Sequence, residues 1–169
     1  MFGTADLPNG IRLRMTRASD NTTERRIHDA NRPELQLLQG GADYIQSILD
    51  MQLRARDAEY ARRFANALYY MIEKSGDTIG RLVLDFGADG IRIVDLAVLP
   101  AFHRQGIGTT VIGAMQRVAA TLPAPVILSV RLDNTDAIRL YVSMGFVADG
   151  PTEASRLHFQ MRWSPPPPA

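Results

Sequence analysis

The amino-acid sequence predicts a mixed α+β fold, and three features carry that prediction. Short apolar or alternating stretches between residues 69 and 98 are separated by glycine-containing turns, a pattern typical of an antiparallel meander. A turn containing Gly106 and Gly108 is followed by apolar residues at helical spacing. Pro123 and Pro125 end that helix, and the apolar run that follows is typical of a buried strand.

The remaining elements follow from the same patterns. Alternation predicts a half-buried strand, and recurrence every three or four residues predicts a helix with one apolar face. We expect strands at residues 11–15, 69–73, 78–85, 91–98, 126–130 and 157–163, and helices at residues 20–31, 43–63, 107–122 and 134–145.

Length and composition predict one globular domain over residues 1–163, followed by a proline-rich, disordered tail over residues 164–169. A net charge of +1 gives no electrostatic case for nucleic acid as a partner. The chain has no cysteine and three widely spaced histidines, so the sequence predicts no disulfide, no cysteine nucleophile and no metal site.

The sequence also predicts no association with a membrane. No apolar run approaches the roughly 18 residues of a membrane span. The first ten residues lack the basic and then apolar pattern of a signal peptide. We therefore expect a cytoplasmic protein.

The glycine turn before the central helix predicts an anion site. Gly106 and Gly108 lack a Cβ, so the backbone can approach a ligand closely. A turn that opens a helix directs free N–H groups and the positive end of the helix dipole at one point, where a phosphate is the usual ligand. Two common phosphate loops do not fit: Val111 replaces the third glycine of a dinucleotide fingerprint, and no Gly-Lys-Ser/Thr sequence is present.

Two motifs resemble those of the GNAT acetyltransferases. Residues 103–108, His-Arg-Gln-Gly-Ile-Gly, resemble the family's pyrophosphate loop Arg/Gln-x-x-Gly-x-Gly/Ala, with His103 in place of the first residue. Residues 134–146 resemble the family's Asn-x-x-Ala-x-x-Leu-Tyr-x-x-x-Gly-Phe. The motifs occur in the expected order, with a helix and a strand between them.

The resemblance implies a bent, mostly antiparallel central sheet flanked by helices, with one splayed strand pair. It implies acetyl-CoA as cofactor, an amine as acceptor, and direct transfer of the acetyl group when both are bound. The identity of the amine stays open, and a homodimer is an option that the family suggests.

Several residues are implied to bind the cofactor. Loop amides would hold the diphosphate, and main-chain groups at the end of the preceding strand would pair with the pantetheine arm. These residues are Leu96, Ala97, Val98, Arg104, Gln105, Gly106, Ile107, Gly108 and Thr109. Leu96, Ala97 and Val98 are equally interpretable as core residues.

Tyr141 and Asn134 come from the second motif. The resemblance implies that Tyr141 contacts the cofactor and matches the family's general acid, whose phenol protonates the leaving thiolate. It is also interpretable as a residue packed on a helix face. Asn134 lies two helical turns earlier on the same face, where it either contacts the pantetheine or caps its helix.

The sequence offers several candidates for the base that deprotonates the amine. Many relatives have a glutamate early on the strand before the loop, where this chain has Arg92. Asp95 is the only acid on that strand and is our candidate, although it is equally placed to pair with an arginine. Glu59, Asp149 and Glu153 are open alternatives.

Two other functions stay open at this stage. Arg92 at the usual position of the base favours a non-catalytic acyl-CoA-binding or sensory module with the same fold. A nucleotide-binding regulatory domain rests only on the glycine turn, and the two failed phosphate-loop templates disfavour it.

Overall fold

The computed structural model describes residues 3–151 and 157–168. In chain order the strands and helices are β1 (Thr4–Leu7), β2 (Ile11–Met15), α1 (Asn21–Ala30), α2 (Ala42–Arg63), β3 (Leu68–Lys74), β4 (Asp77–Gly87), β5 (Gly90–Val98), α3 (Ile107–Thr121), β6 (Val126–Arg131), α4 (Thr135–Ser143), β7 (Val147–Pro151) and β8 (His158–Trp163). Each element expected from the sequence is present with small shifts at its ends. The structure adds β1 and β7, which are short and have no clear apolar alternation.

The strands form one mixed sheet in the order β1-β2-β3-β4-β5-β6-β8-β7. Strands β1 with β2, β2 with β3, β6 with β8 and β7 with β8 pair antiparallel, whereas β5 and β6 run parallel. The parallel pairs join Ile91–Ile93 to residues 126–128, although β5 continues to Val98 and β6 to Arg131.

The chain divides into two compact units. The first unit comprises residues 1–83 and 95–107, and the second comprises residues 84–94 and 108–169. Burial of Ile27, Ile72 and Leu82 gives the first unit a core between α1 and strands β3 and β4. The second unit has its own core, which includes Ile112 of α3 and the residue after α4, Phe146. The single domain expected over residues 1–163 stays a prediction.

Among the described residues, no helix is long and apolar enough to cross a membrane. The same part of the chain has no cluster of three or more His, Asp or Glu side chains arranged to hold a metal ion. Residues 164–168 are in neither a helix nor a strand.

Helix α4 of the second unit has a specific capping arrangement at each end. At its start, the N–H of Ala137 donates to the side-chain oxygen of Asn134 over 3.2 Å. At its end, Gly145 has a left-handed φ of 87°, and its N–H donates to Val142 O. The N–H of Phe146 donates to Tyr141 O, which completes a Schellman motif with an apolar contact between the two rings.

This arrangement predicts opposite effects for two glycine-to-alanine changes. Gly145→Ala should lower the free energy of unfolding by about 1–2 kcal/mol, because a Cβ is disfavoured in the left-handed region. Gly113→Ala, inside α3, is the control. A Cβ there would meet its nearest atom at an ordinary 3.6 Å, so alanine should raise stability by about 0.5–1 kcal/mol. Urea denaturation measures both; equal effects would contradict the capping role of Gly145.

Candidate active site

The loop after β5 converts a strand end into a helix start. Leu99 and Pro100 end the strand, and residues 100–102 form a single tight helical turn. Arg104 and Gly106 then take left-handed φ angles of 59° and 75°. Helix α3 begins directly afterwards at Ile107. Left-handed residues just before a helix turn successive N–H groups towards one side, which is the geometry of an anion-binding nest.

Side chains brace this loop within the first unit. The Gln105 amide donates to Ala101 O over 3.2 Å, and Lys74 Nζ donates to the Gln105 side-chain oxygen over 3.4 Å. These bonds hold the Gln105 side chain against its own loop and β3. Gln105 would therefore contact an anion through its backbone N–H.

The glycines leave room where a ligand would approach. A Cβ built on Gly106 would have no atom within 4 Å, so this face of the loop is open. In the second unit, a Cβ on Gly108 would lie 3.3 Å from the Leu140 side chain, so Gly108 lets α3 pack closely on α4. The first turn of α3 has no acidic residue, and its dipole therefore stays uncompensated. These residues fit a diphosphate.

Two hydrogen bonds indicate that β5 contains a bulge. The N–H of Ile91 donates to Pro125 O, which precedes β6, whereas the N–H of Leu99 donates to Ile79 O on β4. In a regular strand, residues an even number apart direct their main-chain groups to the same edge. Ile91 and Leu99 are eight residues apart but direct their N–H groups to opposite edges, so the alternation changes once between them. A β-bulge produces this change, because it adds one residue to the strand.

The bulge determines which main-chain groups face β4. A Cβ on Gly80 would lie only 2.6 Å from Ala97 O, so that carbonyl faces β4. Val98 O instead accepts hydrogen bonds from the side chains of His103 and Asn31. By alternation from Ala97, the main-chain groups of Val98 are directed away from β4. The cofactor-binding roles expected for residues 96–98 stay predictions.

The residues predicted to form the site belong to both units. Residues 95–98 and 104–107 lie in the first unit, whereas Gly108, Thr109, Asn134 and Tyr141 lie in the second. Thr109 is exposed on the first turn of α3, and Ile107 is buried. Asn134 uses its side-chain oxygen to cap α4, as one of its two interpretations predicted. Tyr141 is half-buried, with its ring centroid 5.8 Å from that of Phe146.

A buried charge network, here called the Arg81 cluster, surrounds Asp95 in the first unit. Arg81 of β4 is 2% exposed. Its guanidinium lies 3.2 Å from Glu24 of α1, 3.5 Å from Asp57 of α2 and 3.3 Å from Asp95 of β5. Arg56 of α2 contacts both Asp57 and Asp95, at 3.2 and 3.7 Å. Arginine is rarely this buried unless it is paired, and here one cation joins two helices to the sheet.

Asp95 therefore lies against two arginines, as the alternative to a catalytic role anticipated. The contact from Arg81 Nε to Asp95 Oδ2 is an ion pair without hydrogen-bond geometry, and neither atom has a hydrogen-bond partner among the described residues. Whether Asp95 is the base stays a prediction.

The other candidate acids have ion-pair partners of their own. Glu59 pairs with Arg62 and Arg63 on α2. Asp149 accepts from Gln160 and lies 3.8 Å from Arg162. Glu153 lies outside the described residues.

Burial shifts the titration of two groups near the cluster. It raises the pKa of Glu24 above the ordinary value, and this effect outweighs the opposing attraction of Arg81. Burial also raises the pKa of Tyr60, whose ring lies under the Arg56 guanidinium. Glu24 is therefore a carboxylate whose ionised form is disfavoured in the folded protein.

Sequence reasoning missed Glu24, Asn31 and Arg81. Arg81 left a readable signal, because it interrupts a run of buried strand residues where a charge needs partners. Glu24 and Asn31 left none, since polar residues on a short helix are ordinarily solvated. Their partners become apparent only once α1 is placed on the sheet.

With this geometry established, comparison with known proteins identifies the class. The model of the acetyltransferase (GNAT) family matches residues 31–146, more than half of the chain. The chain therefore belongs to the GNAT acetyltransferases, enzymes that use acetyl-CoA. A search of curated proteins finds no match.

Solved structures show the same fold. The PaiA N-acetyltransferase of Thermoplasma acidophilum, in complex with coenzyme A, is 18% identical, with a TM-score of 0.65 over 91% of this chain and 98% of that one. The ribosomal-protein-S18-alanine N-acetyltransferase of Escherichia coli is 16% identical, with a TM-score of 0.61 over 91% and 93%. A variant of the spermidine N-acetyltransferase of Vibrio cholerae is 14% identical, with a TM-score of 0.62 over 92% and 94%.

The Arg81 cluster predicts how stability depends on pH. Because the pKa of Glu24 is raised on folding, its contribution to stability is greatest when the group is protonated in both states. That contribution is lost as pH rises from the ordinary pKa of 4.5, which the unfolded chain has, through the raised pKa of the folded protein. Glu24→Gln cannot ionise, so the wild type should lose stability relative to this variant as pH increases.

Denaturant unfolding of the two proteins at several pH values between roughly 4 and 8 measures this difference. A wild type that gains stability relative to Glu24→Gln with rising pH would mean that the attraction of Arg81 exceeds the burial penalty. That outcome would contradict the assignment.

Proposed function

We propose that this chain transfers an acetyl group from acetyl-CoA to a primary amine by direct attack while both are bound. The observation that carries this proposal is the open nest at residues 104–106, which leads directly into the uncompensated N-terminus of α3. Family membership supports acetyl-CoA as the source of the anion.

The amides of residues 104–109 would hold the diphosphate. Gly106 leaves its face of the loop open, and the exposed Thr109 adds a hydroxyl on the first turn of α3. Arg104 supplies a positive charge beside this nest. A charge-assisted hydrogen bond to phosphate from its guanidinium would add to the backbone contacts.

The main-chain groups of Leu96 and the N–H of Val98 would hold the pantetheine arm, since the Val98 carbonyl already accepts from His103 and Asn31. The bulge in β5 supports this assignment for Val98, because it directs the Val98 N–H away from the β4 ladder. Ala97 contributes differently, since its carbonyl faces Gly80 on β4. We therefore assign the cofactor contacts of this strand to Leu96 and Val98, and a supporting role to Ala97.

When bound, acetyl-CoA supplies an acetyl group activated as a thioester. Tyr141 would provide the proton that the leaving sulfur requires, since a phenol with a pKa of about 10 can donate to a thiolate with a pKa of about 8.5. The Schellman motif and the contact with Phe146 support this role because they fix the tyrosine at the end of α4. Asn134 would keep α4 in register through its cap.

An amine with a pKa near 10 must lose a proton before it attacks. We propose Asp95 as the acceptor of that proton, because Oδ2 is a buried carboxylate oxygen without a hydrogen-bond partner in the described part of the chain. Arg56 and Arg81 hold the carboxylate in place. The free amine then attacks the acetyl carbonyl carbon. As the C–N bond forms and the C–S bond breaks, the sulfur takes a proton from Tyr141, and the second proton of the nitrogen returns to the phenolate.

A non-catalytic acyl-CoA-binding module is the second candidate. The observation that favours it is Arg92, at the position where many relatives have a glutamate. Its Nη1 donates to the Gln160 side chain over 3.3 Å, so it is held against β8. Turnover of acetyl-CoA with a panel of primary amines separates the two candidates, because a sensor would bind acetyl-CoA without consuming it.

A charge at the start of α3 tests the anion site. Thr109→Glu places a carboxylate on the exposed first turn, where it should stabilise the helix by about 0.3–1 kcal/mol but repel a diphosphate. We expect acetyl-CoA to bind at least about tenfold more weakly, a loss of about 1.4 kcal/mol. Thr109→Gln, with nearly the same size and no charge, is the control. If calorimetry gave equal acetyl-CoA affinities for the two variants, the diphosphate would not bind at the start of this helix.

Removal of one hydroxyl tests the proton donor. Tyr141→Phe keeps the ring contact with Phe146, so the fold and the affinity for CoA should be unchanged. We expect kcat to fall by about 100-fold, the typical contribution of a general acid. Steady-state kinetics and calorimetry on the same variant measure both quantities. An unchanged kcat would reduce Tyr141 to a packing residue.

A further inference from the structure

The peptide group that joins Val98 to Leu99 is hydrogen-bonded at both of its ends. Its oxygen accepts from His103 Nε2 over 2.7 Å and from Asn31 Nδ2 over 3.2 Å. Its N–H donates to Ile79 O over 2.8 Å. Both acceptor positions of the carbonyl and the single donor of the amide are therefore used.

These bonds join three parts of the first unit at one point. His103 belongs to the loop, Ile79 to β4, and Asn31 directly follows α1. Asn31 also donates to Ile27 O over 2.8 Å, which connects the last turn of α1 to the same peptide. The next residue, Pro100, has no N–H, so this peptide is the last one able to join the β4 ladder.

His103 occupies the first position of the motif that resembles the family's pyrophosphate loop. The family's loop has arginine or glutamine there, and either side chain is long enough to suggest a phosphate ligand. In this chain the ring instead directs Nε2 back to the strand. A carbonyl oxygen only accepts hydrogen bonds, so Nε2 must be the protonated nitrogen of the ring.

We propose that His103 is a positioning residue that fixes the direction in which the loop leaves β5, and that it is not a ligand of the diphosphate. The orientation of the Val98–Leu99 peptide sets the main-chain groups of Val98 relative to the loop amides. Loss of this bond disturbs the pantetheine contacts and the diphosphate contacts together. The inference rests on the cofactor assignment proposed above.

Two donors that share the acetyl-pantetheine portion separate positioning from phosphate binding. Acetyl-CoA carries the diphosphate, and S-acetylpantetheine carries no phosphate. The variants are His103→Ala, which removes the hydrogen bond, and His103→Gln, which keeps an N–H donor. His103 is exposed, so both variants should fold. Calorimetry for acetyl-CoA and ligand-observed NMR for S-acetylpantetheine give the affinities.

We expect His103→Ala to weaken both donors by a similar factor, about threefold to tenfold, as the loss of one hydrogen bond predicts. His103→Gln should restore much of that loss for S-acetylpantetheine, in which a glutamine has no phosphate to contact. Nitrogen-15 NMR of the wild-type ring should show the proton on Nε2 before any ligand is added. A loss confined to acetyl-CoA, or a proton on Nδ1 alone, would overturn the proposal.

Failure of this inference is distinguishable from failure of the proposed function. If Thr109→Glu weakens acetyl-CoA and His103→Ala weakens acetyl-CoA alone, the cofactor site stands and the positioning role falls. If neither variant changes the affinity for acetyl-CoA, the cofactor site itself is wrong. If both donors weaken in His103→Ala but not in His103→Gln, the positioning role is supported.

Discussion

The end of strand β5 is the constraint on which the candidate site depends. A strand at this position in the sheet would ordinarily use its main-chain N–H and C=O groups in hydrogen bonds to the neighbouring strands. The bulge between Ile91 and Leu99 changes that alternation, and Pro100 then stops the ladder. As a result, Val98 is free of β4, and the chain turns through left-handed residues into α3. A strand edge and a helix N-terminus are thus produced by one short stretch of sequence.

The Arg81 cluster supports this stretch from the helical side of the first unit. Burying the Arg81 guanidinium and most of the Glu24 and Asp95 carboxylates costs free energy that packed apolar side chains would not cost. The cluster does, however, join α1, α2, β4 and β5 through specific contacts, whereas apolar side chains can pack in several ways. The raised pKa of Glu24 reflects part of this free-energy cost of burial. Since Asp95 belongs to this network, the residue just before Leu96 is held by charge as well as by the sheet.

Much of this architecture could be predicted from the sequence because it is encoded locally. The glycines at 106 and 108, the cap at Asn134 and the glycine at 145 each satisfy a backbone requirement within a few residues. The Arg81 cluster and the bond from Asn31 to Val98 could not be predicted, because they join residues far apart in the chain. The bulge also left no signal: residues 91–98 read as one regular strand, and only its hydrogen bonds show the change of edge. The hydrogen bond from His103 to Val98 O could not be predicted either, because it depends on how the loop folds back against the strand.

The central claim is that the backbone of this loop binds acetyl-CoA. Hydrogen exchange, resolved to peptides covering residues 90–121, tests it most directly because it reports on the amides themselves. The account predicts that acetyl-CoA slows exchange at residues 104–109 and at Leu96 and Val98, while a matched nucleotide such as ATP does so much less. Unchanged exchange in these segments, together with slowed exchange elsewhere, would contradict it and locate the cofactor in another part of the chain.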